Sequence, residues 1–134
     1  MKQVLIDTDI ISYFLKGNEN VFLRFQEYLK EFDRINISII TYYEIVSGLT
    51  FKNAEKQLQI FEEFCSTARI INLSKDSIKV AADIYANQRK KGEAVDDIDI
   101  LIAGIAICND LVLVTNNIKH FGKIEGLVVE NWTE

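Results

Sequence analysis

The stretch Val4-Leu5-Ile6-Asp7-Thr8-Asp9-Ile10-Ile11 decides the fold class. Its apolar opening is too short for a helix, and it ends abruptly in a carboxylate where a helical pattern begins. Read as a buried strand, Val4–Ile6 leaves Asp7 at its carboxyl end. In an open α/β sheet, that edge is where ligands bind. The remaining question is which other polar groups the fold brings to Asp7.

Size and charge frame the answer. At 134 residues the chain is expected to form one domain, 1–134, large enough for a real core. Half of it is apolar and a quarter charged, as in ordinary globular proteins. No apolar run approaches the ~20 residues that span a membrane, and no basic segment followed by an apolar one marks a secretion signal. Cys65 and Cys108 belong to no CxxC pair. They read as reduced core thiols of a cytoplasmic protein. A net charge of −5 argues against a non-specific nucleic-acid binder. It is compatible with an enzyme that grips RNA locally, or with carboxylates gathered on a metal.

Working outward, strand-like and helix-like segments alternate. Thr8–Leu15 reads as a helix closed by Gly17-Asn18. Val21, Phe25, Tyr28, Leu29 and Phe32 predict a second helix over 20–32. Ile35–Ser38 alternates as a strand does. Thr41–Leu49 is helical, with Thr41 as N-cap, Glu44 as its capping-box partner and Gly48 interrupting the end. Ala54, Leu58, Phe61, Phe64 and Cys65 mark a fourth helix, Ile70-Ile71 a brief strand. Ser74 and Ser77 open a long helix that closes at Asn87–Gly92. Ile98–Cys108 is apolar nearly throughout except at Asp99, which predicts a helix buried all round. Leu111–Val114 is the most strand-like run, Thr115-Asn116-Asn117 a turn or helix start, and Leu127–Val129 an edge strand. The fold expected is α/β: a central parallel sheet of about four to five strands, flanked by about seven helices in three Rossmann-like layers.

Asp7, Glu44, Asp99 and Asn117 then all follow strands or open helices, so they fall near one sheet edge. Asp99 is the most telling, because a lone carboxylate in an apolar helix is costly unless it is paired or metal-bound. Oxygen ligands suit Mg²⁺ or Mn²⁺, and two cysteines with one histidine weigh against zinc. Such a metal suggests phosphate chemistry. Simpler roles stand beside these. Asp7 and Asp9 could cap the first helix, Glu44 could serve only the capping box, and Asp99 could complement the helix dipole. Asp96 and Asp97 read as loop or cap residues, and His120 as a packing or hydrogen-bonding one. Arg89-Lys90-Lys91 reads as a solvated helix end, close enough to the acidic loop to touch a bound phosphate.

Four segments taken together resemble a known family. Leu5–Tyr13, Thr41–Leu49, Asp99–Ala103 and Leu113–Asn117 with His120-Phe121 are similar, in order, to the four motifs of PIN-domain ribonucleases, and above all to VapC-type toxins of bacterial toxin–antitoxin pairs. The resemblance covers nearly the whole chain. It implies a PIN-like nuclease domain with Mg²⁺-dependent (or Mn²⁺-dependent) endoribonuclease activity on structured RNA such as tRNA. It also implies a homodimer, and inhibition by a cognate antitoxin bound over the active groove. Carried onto this sequence, Asp7 and Asp99 match the metal-binding aspartates, Glu44 the acid after the second strand, and Thr115 the hydroxyl within the acidic cluster. Asn117 stands where many members carry an aspartate, and Asp96 and Asp9 are further supporting acids. Asp9 would cap the helix or orient Asp7. Water activated at the metal would attack in line and leave 3′-hydroxyl and 5′-phosphate ends. Two alternatives stand against this reading. Asp7-Thr8-Asp9, Ser38 and Asp96-Asp97 also resemble a haloacid-dehalogenase-type phosphatase with Asp7 as nucleophile, although the chain is short for that fold. A non-enzymatic receiver-like signalling module would need an acid after the third strand and a lysine after the last, and neither is present.

Overall fold

The computed structural model describes residues 1–134. Five strands, β1 (Val4–Ile6), β2 (Asn36–Ser38), β3 (Arg69–Ile71), β4 (Val112–Val114) and β5 (Val129–Glu130), form one sheet in the order β3-β2-β1-β4-β5. Every pairing is parallel. The helices are α1 (Thr8–Leu15), α2 (Glu19–Leu29), α3 (Ile39–Phe51), α4 (Glu55–Thr67), α5 (Lys75–Lys90), α6 (Asp97–Cys108) and α7 (Ile118–Phe121). The expected parallel α/β architecture is present, with five strands and seven helices.

Strand alternation divides the core. Val4 and Ile6 of β1, with Val112 and Val114 of β4, pack with Phe25, Tyr28, Phe61 and Trp132 on one face. Leu5 and Leu113 point to the other face, against Ala81, Ile84 and the apolar residues of α6. Trp132, beyond the last strand, is almost fully buried, with its ring 5.8 Å from both Phe25 and Tyr28. The Tyr28 hydroxyl in turn accepts the Val4 N–H at 3.1 Å.

The chain builds β1, β2 and β3 outward to one side and then returns to lay β4 and β5 on the other. The β1–β4 pair is therefore the point at which strand order reverses. Crevices outside the carboxyl ends of such a pair bind ligands in open α/β sheets. Asp7 is the first residue past β1, and its N–H donates to Val114 O at 2.9 Å.

Several boundaries differ from the sequence-based expectation. Ser38, not Thr41, caps α3: its Oγ accepts the Thr41 N–H at 3.0 Å, the helix begins at Ile39, and Thr41 is fully buried. The Thr41–Glu44 capping box does not form, because β2 runs directly into the helix. Gly48 does not interrupt α3, which continues to Phe51. Helix α2 ends at Leu29, and Phe32 packs on the core from the turn beyond it. The last strand is Val129–Glu130, later than expected. Cys65 is buried, but Cys108 is exposed where α6 emerges from the core. The Ser74–Ser77 capping box of α5 is present.

Helices α5 and α6 pack tightly at Gly104. A Cβ there would stand 2.7 Å from Ser77 O and 3.1 Å from Ala81 Cβ. Gly104→Ala is thus expected to destabilise the protein by about 1–3 kcal/mol, the overpacking cost exceeding alanine's helix propensity of ~1 kcal/mol. Urea denaturation with unchanged or raised stability would contradict this close approach.

Candidate active site

Asp7 occupies the N-cap of α1 at the carboxyl edge of β1. Its Oδ1 accepts the Thr8 N–H at 2.8 Å, and its Oδ2 accepts the Thr115 hydroxyl at 2.8 Å. One carboxylate, only 6% exposed, thus caps α1 with one oxygen and ties to the turn after β4 with the other.

Asp9 does not cap α1. Its Oδ2 accepts the Asn116 N–H at 3.0 Å and lies 3.5 Å from Thr115 Oγ1, so it pins the turn after β4 and adjoins Asp7 through a shared threonine. Its Oδ1 is buried without any partner. Thr115, fully buried, also accepts the Asn117 N–H at 3.0 Å. The Asn117 side chain meets His120, its Nδ2 3.0 Å from Nδ1, and His120 in turn lies close enough to act on Asp99. The Asn117 N–H thus helps to fix the Thr115 hydroxyl, and His120 takes the hydrogen-bonding role expected of it.

Glu44 projects from α3, and its Oε1 accepts the Thr8 hydroxyl at 2.6 Å. Thr41 Oγ1 lies 3.0 Å from the same Thr8 oxygen. Asp99 lies in the first turn of α6, half-buried, with no hydrogen-bond or ion-pair partner. Asp96 is the exposed N-cap of α6, accepting the Ile98 N–H at 2.8 Å. Sequence reasoning missed Thr8, the link between Asp7 and Glu44. The available signal was its hydroxyl, set between two aspartates at a strand end.

The electrostatics are dominated by carboxylates. Burial, followed by the Asp9 charge, pushes Asp7 up to about 7. Burial raises Asp9 and Asp99 as well; Asp96 and Glu44 add to the effect on Asp99, and the neighbouring His120 partly offsets it. No lysine or arginine pairs with any of these acids; the protein's two ion pairs are Met1–Glu31 and Lys2–Asp110. No three His, Cys, Asp or Glu side chains are arranged as a ready-made cage for an ion. The acids Asp7, Asp9, Glu44 and Asp99 thus share a field rather than a preformed ligand sphere. The donors are all oxygen, one buried carboxylate oxygen lacks a partner, and no lysine or arginine neutralises the cluster. That chemistry fits a hard divalent cation such as Mg²⁺.

Comparison with known proteins places these features in a wider group. The PIN domain family model matches residues 4–127. Ribonuclease VapC2 of Rickettsia felis is 31% identical over 96% of this chain and 96% of its own length. The tRNA(fMet)-specific endonuclease VapC of Salmonella typhimurium is 31% identical over 98% of this chain and 99% of its own. Among solved structures, DNA-bound VapBC from Salmonella typhimurium superposes with a TM-score of 0.89 at 30% identity, over 98% of this chain and 99% of that one. Rickettsia felis VapBC2, bound to a fragment of its promoter, gives 0.88 at 30% identity, over 96% and 98%.

Proposed function

From the premise that this chain belongs to the PIN-domain family, we propose that it is the endoribonuclease toxin of a toxin–antitoxin pair. The observation that carries this reading is Asp7: a buried carboxylate at the strand-order reversal, with Asp9, Glu44 and Asp99 grouped about it and no lysine or arginine paired with any of them. The near-full-length likeness to VapC ribonucleases and to VapBC assemblies supports both the activity and an antitoxin partner. The whole chain, 1–134, acts as one nuclease domain. Its substrate is structured RNA, with tRNA the first candidate because the Salmonella relative is named for one. A homodimer and a cytoplasmic setting complete the reading. No helix is long and apolar enough to cross a membrane.

Asp7 and Asp99 would hold Mg²⁺ or Mn²⁺, with Glu44 and Asp9 beside them. When bound, the ion supplies Lewis-acid stabilisation of phosphoryl charge and activation of water. The chain's own residues do the positioning. Thr115 and the Thr8 N–H fix both Asp7 oxygens, and the Thr8 hydroxyl orients Glu44. The Asn116 N–H holds one oxygen of Asp9 and leaves the other free. Asn117 contributes no charge, so the carboxylates available to a cation are Asp7, Asp9, Glu44 and Asp99.

Incubation of total cellular RNA with the protein tests the reading. Discrete fragments with 5′-phosphate and 3′-hydroxyl ends are expected, lost with EDTA and with Asp99→Asn, and restored to wild type by Mg²⁺ or Mn²⁺. Cleavage indifferent to EDTA, or 2′,3′-cyclic phosphate ends, would overturn it.

A further inference from the structure

A groove of about 150 Å³ leads away from the acidic cluster between α1 and α3. Each helix supplies one rail at a spacing of four residues: Thr8, Ser12 and Lys16 from α1, and Glu44, Gly48 and Lys52 from α3. Residues four apart lie on one helix face. The groove therefore begins at the hydrogen-bonded pair Thr8–Glu44 and ends, about 12 Å further along at 1.5 Å per residue, between two lysines. They are the only cations lining it, Glu44 is the only anion, and neither lysine is held in an ion pair. Gly48 keeps the middle open: a Cβ there would meet nothing within 4 Å.

We infer that this groove carries the RNA strand beside the scissile bond, with Lys16 and Lys52 gripping a flanking backbone phosphate. The inference rests on the ribonuclease reading and deepens it. A chain of net charge −5 repels a polyanion at long range. Binding then depends on cations placed locally, and neutralised phosphates supply most of the affinity for nucleic acid. Both lysines are also the C-caps of their helices, where a cation complements the dipole. Helix stability alone therefore does not distinguish the roles, whereas salt dependence does. Lys16 and Lys52 are positioning residues, distant from the acids that perform the chemistry.

The test measures apparent KM and kcat on total cellular RNA across a salt series. The double variant Lys16→Gln/Lys52→Gln is expected to raise KM about tenfold with little change in kcat. The slope of log KM against log salt should fall by about 1.4, that is ~0.7 for each lysine charge removed from single-stranded RNA. Gly48→Leu, a favourable helix substitution, should raise KM by filling the groove while leaving the slope unchanged. Lys79→Gln on α5 should leave both constants as they are. If wild type cuts RNA but the groove variants keep its KM and slope, the inference fails alone. An effect confined to affinity for a co-purifying small protein would assign the groove to that partner and equally overturn it. If wild type cuts no RNA, the ribonuclease reading itself fails.

Discussion

Asp7→Asn is expected to lower the rate of RNA cleavage by about 10³-fold or more while leaving a folded protein that still binds its antitoxin. The carboxylate is buried and faces the charges of Asp9 and Asp99, so its own charge matters only if a cation is there to receive it. Asparagine has nearly the same shape, and its oxygen can still accept a hydrogen bond from Thr8 or Thr115. It cannot supply the charge. Glu44→Gln should be milder, about 10- to 100-fold, because Glu44 is fixed through the Thr8 hydroxyl, to which glutamine can still bond. Single-turnover cleavage of total RNA, beside a thermal melt, separates impaired chemistry from impaired folding. EDTA-sensitive activity within tenfold of wild type in Asp7→Asn would move the principal ligand elsewhere, with Asp9 the first candidate because its Oδ1 is already free.

The parts of this site that could be read in sequence are those in which one residue contradicts its neighbours. Asp7 interrupts an apolar run at the point where the period changes from strand to helix. Asp99 is a lone charge early in an otherwise apolar helix, and both stand where that contrast puts them. What could not be read depends on pairings across the fold. Thr8 meets Glu44 36 residues away, and Thr115 meets Asp7 108 residues away. No local pattern encodes those meetings. Local patterns also misled where two of them competed. Thr41-x-x-Glu44 has the form of a capping box, but Ser38 at the end of β2 captures the Thr41 N–H first. Gly48 resembles a helix stop, yet it stays within α3 and its missing side chain opens a groove instead. Cys108 shares the apolar character of α6 but falls just past the point where that helix leaves the core.

The same buried carboxylate makes the metal-free fold sensitive to pH. The Asp7 carboxyl sits near 3.8 in an unfolded chain and is pushed up to about 7 in the folded one, by burial first and by Asp9 second. Between those values the folded state holds a proton that the unfolded state has released. Stability therefore falls as pH rises through this window, and the decline is complete above about 7. At 1.36 kcal/mol per pH unit, the full effect is of the order of 4 kcal/mol. In EDTA the wild-type melting temperature should drop steadily from pH 5 to pH 8. Asp7→Asn, which cannot ionise, should lack most of that slope and melt higher than wild type at pH 8, the smaller remainder coming from Asp9 and Asp99. Added Mg²⁺ should act in the opposite sense. A cation that binds only the folded, ionised form stabilises by mass action, so its effect on melting should be small at pH 5 and grow through pH 7. Parallel melting curves for wild type and Asp7→Asn in EDTA would show that Asp7 ionises freely in the fold. The uncompensated charge on which the metal assignment rests would then be absent.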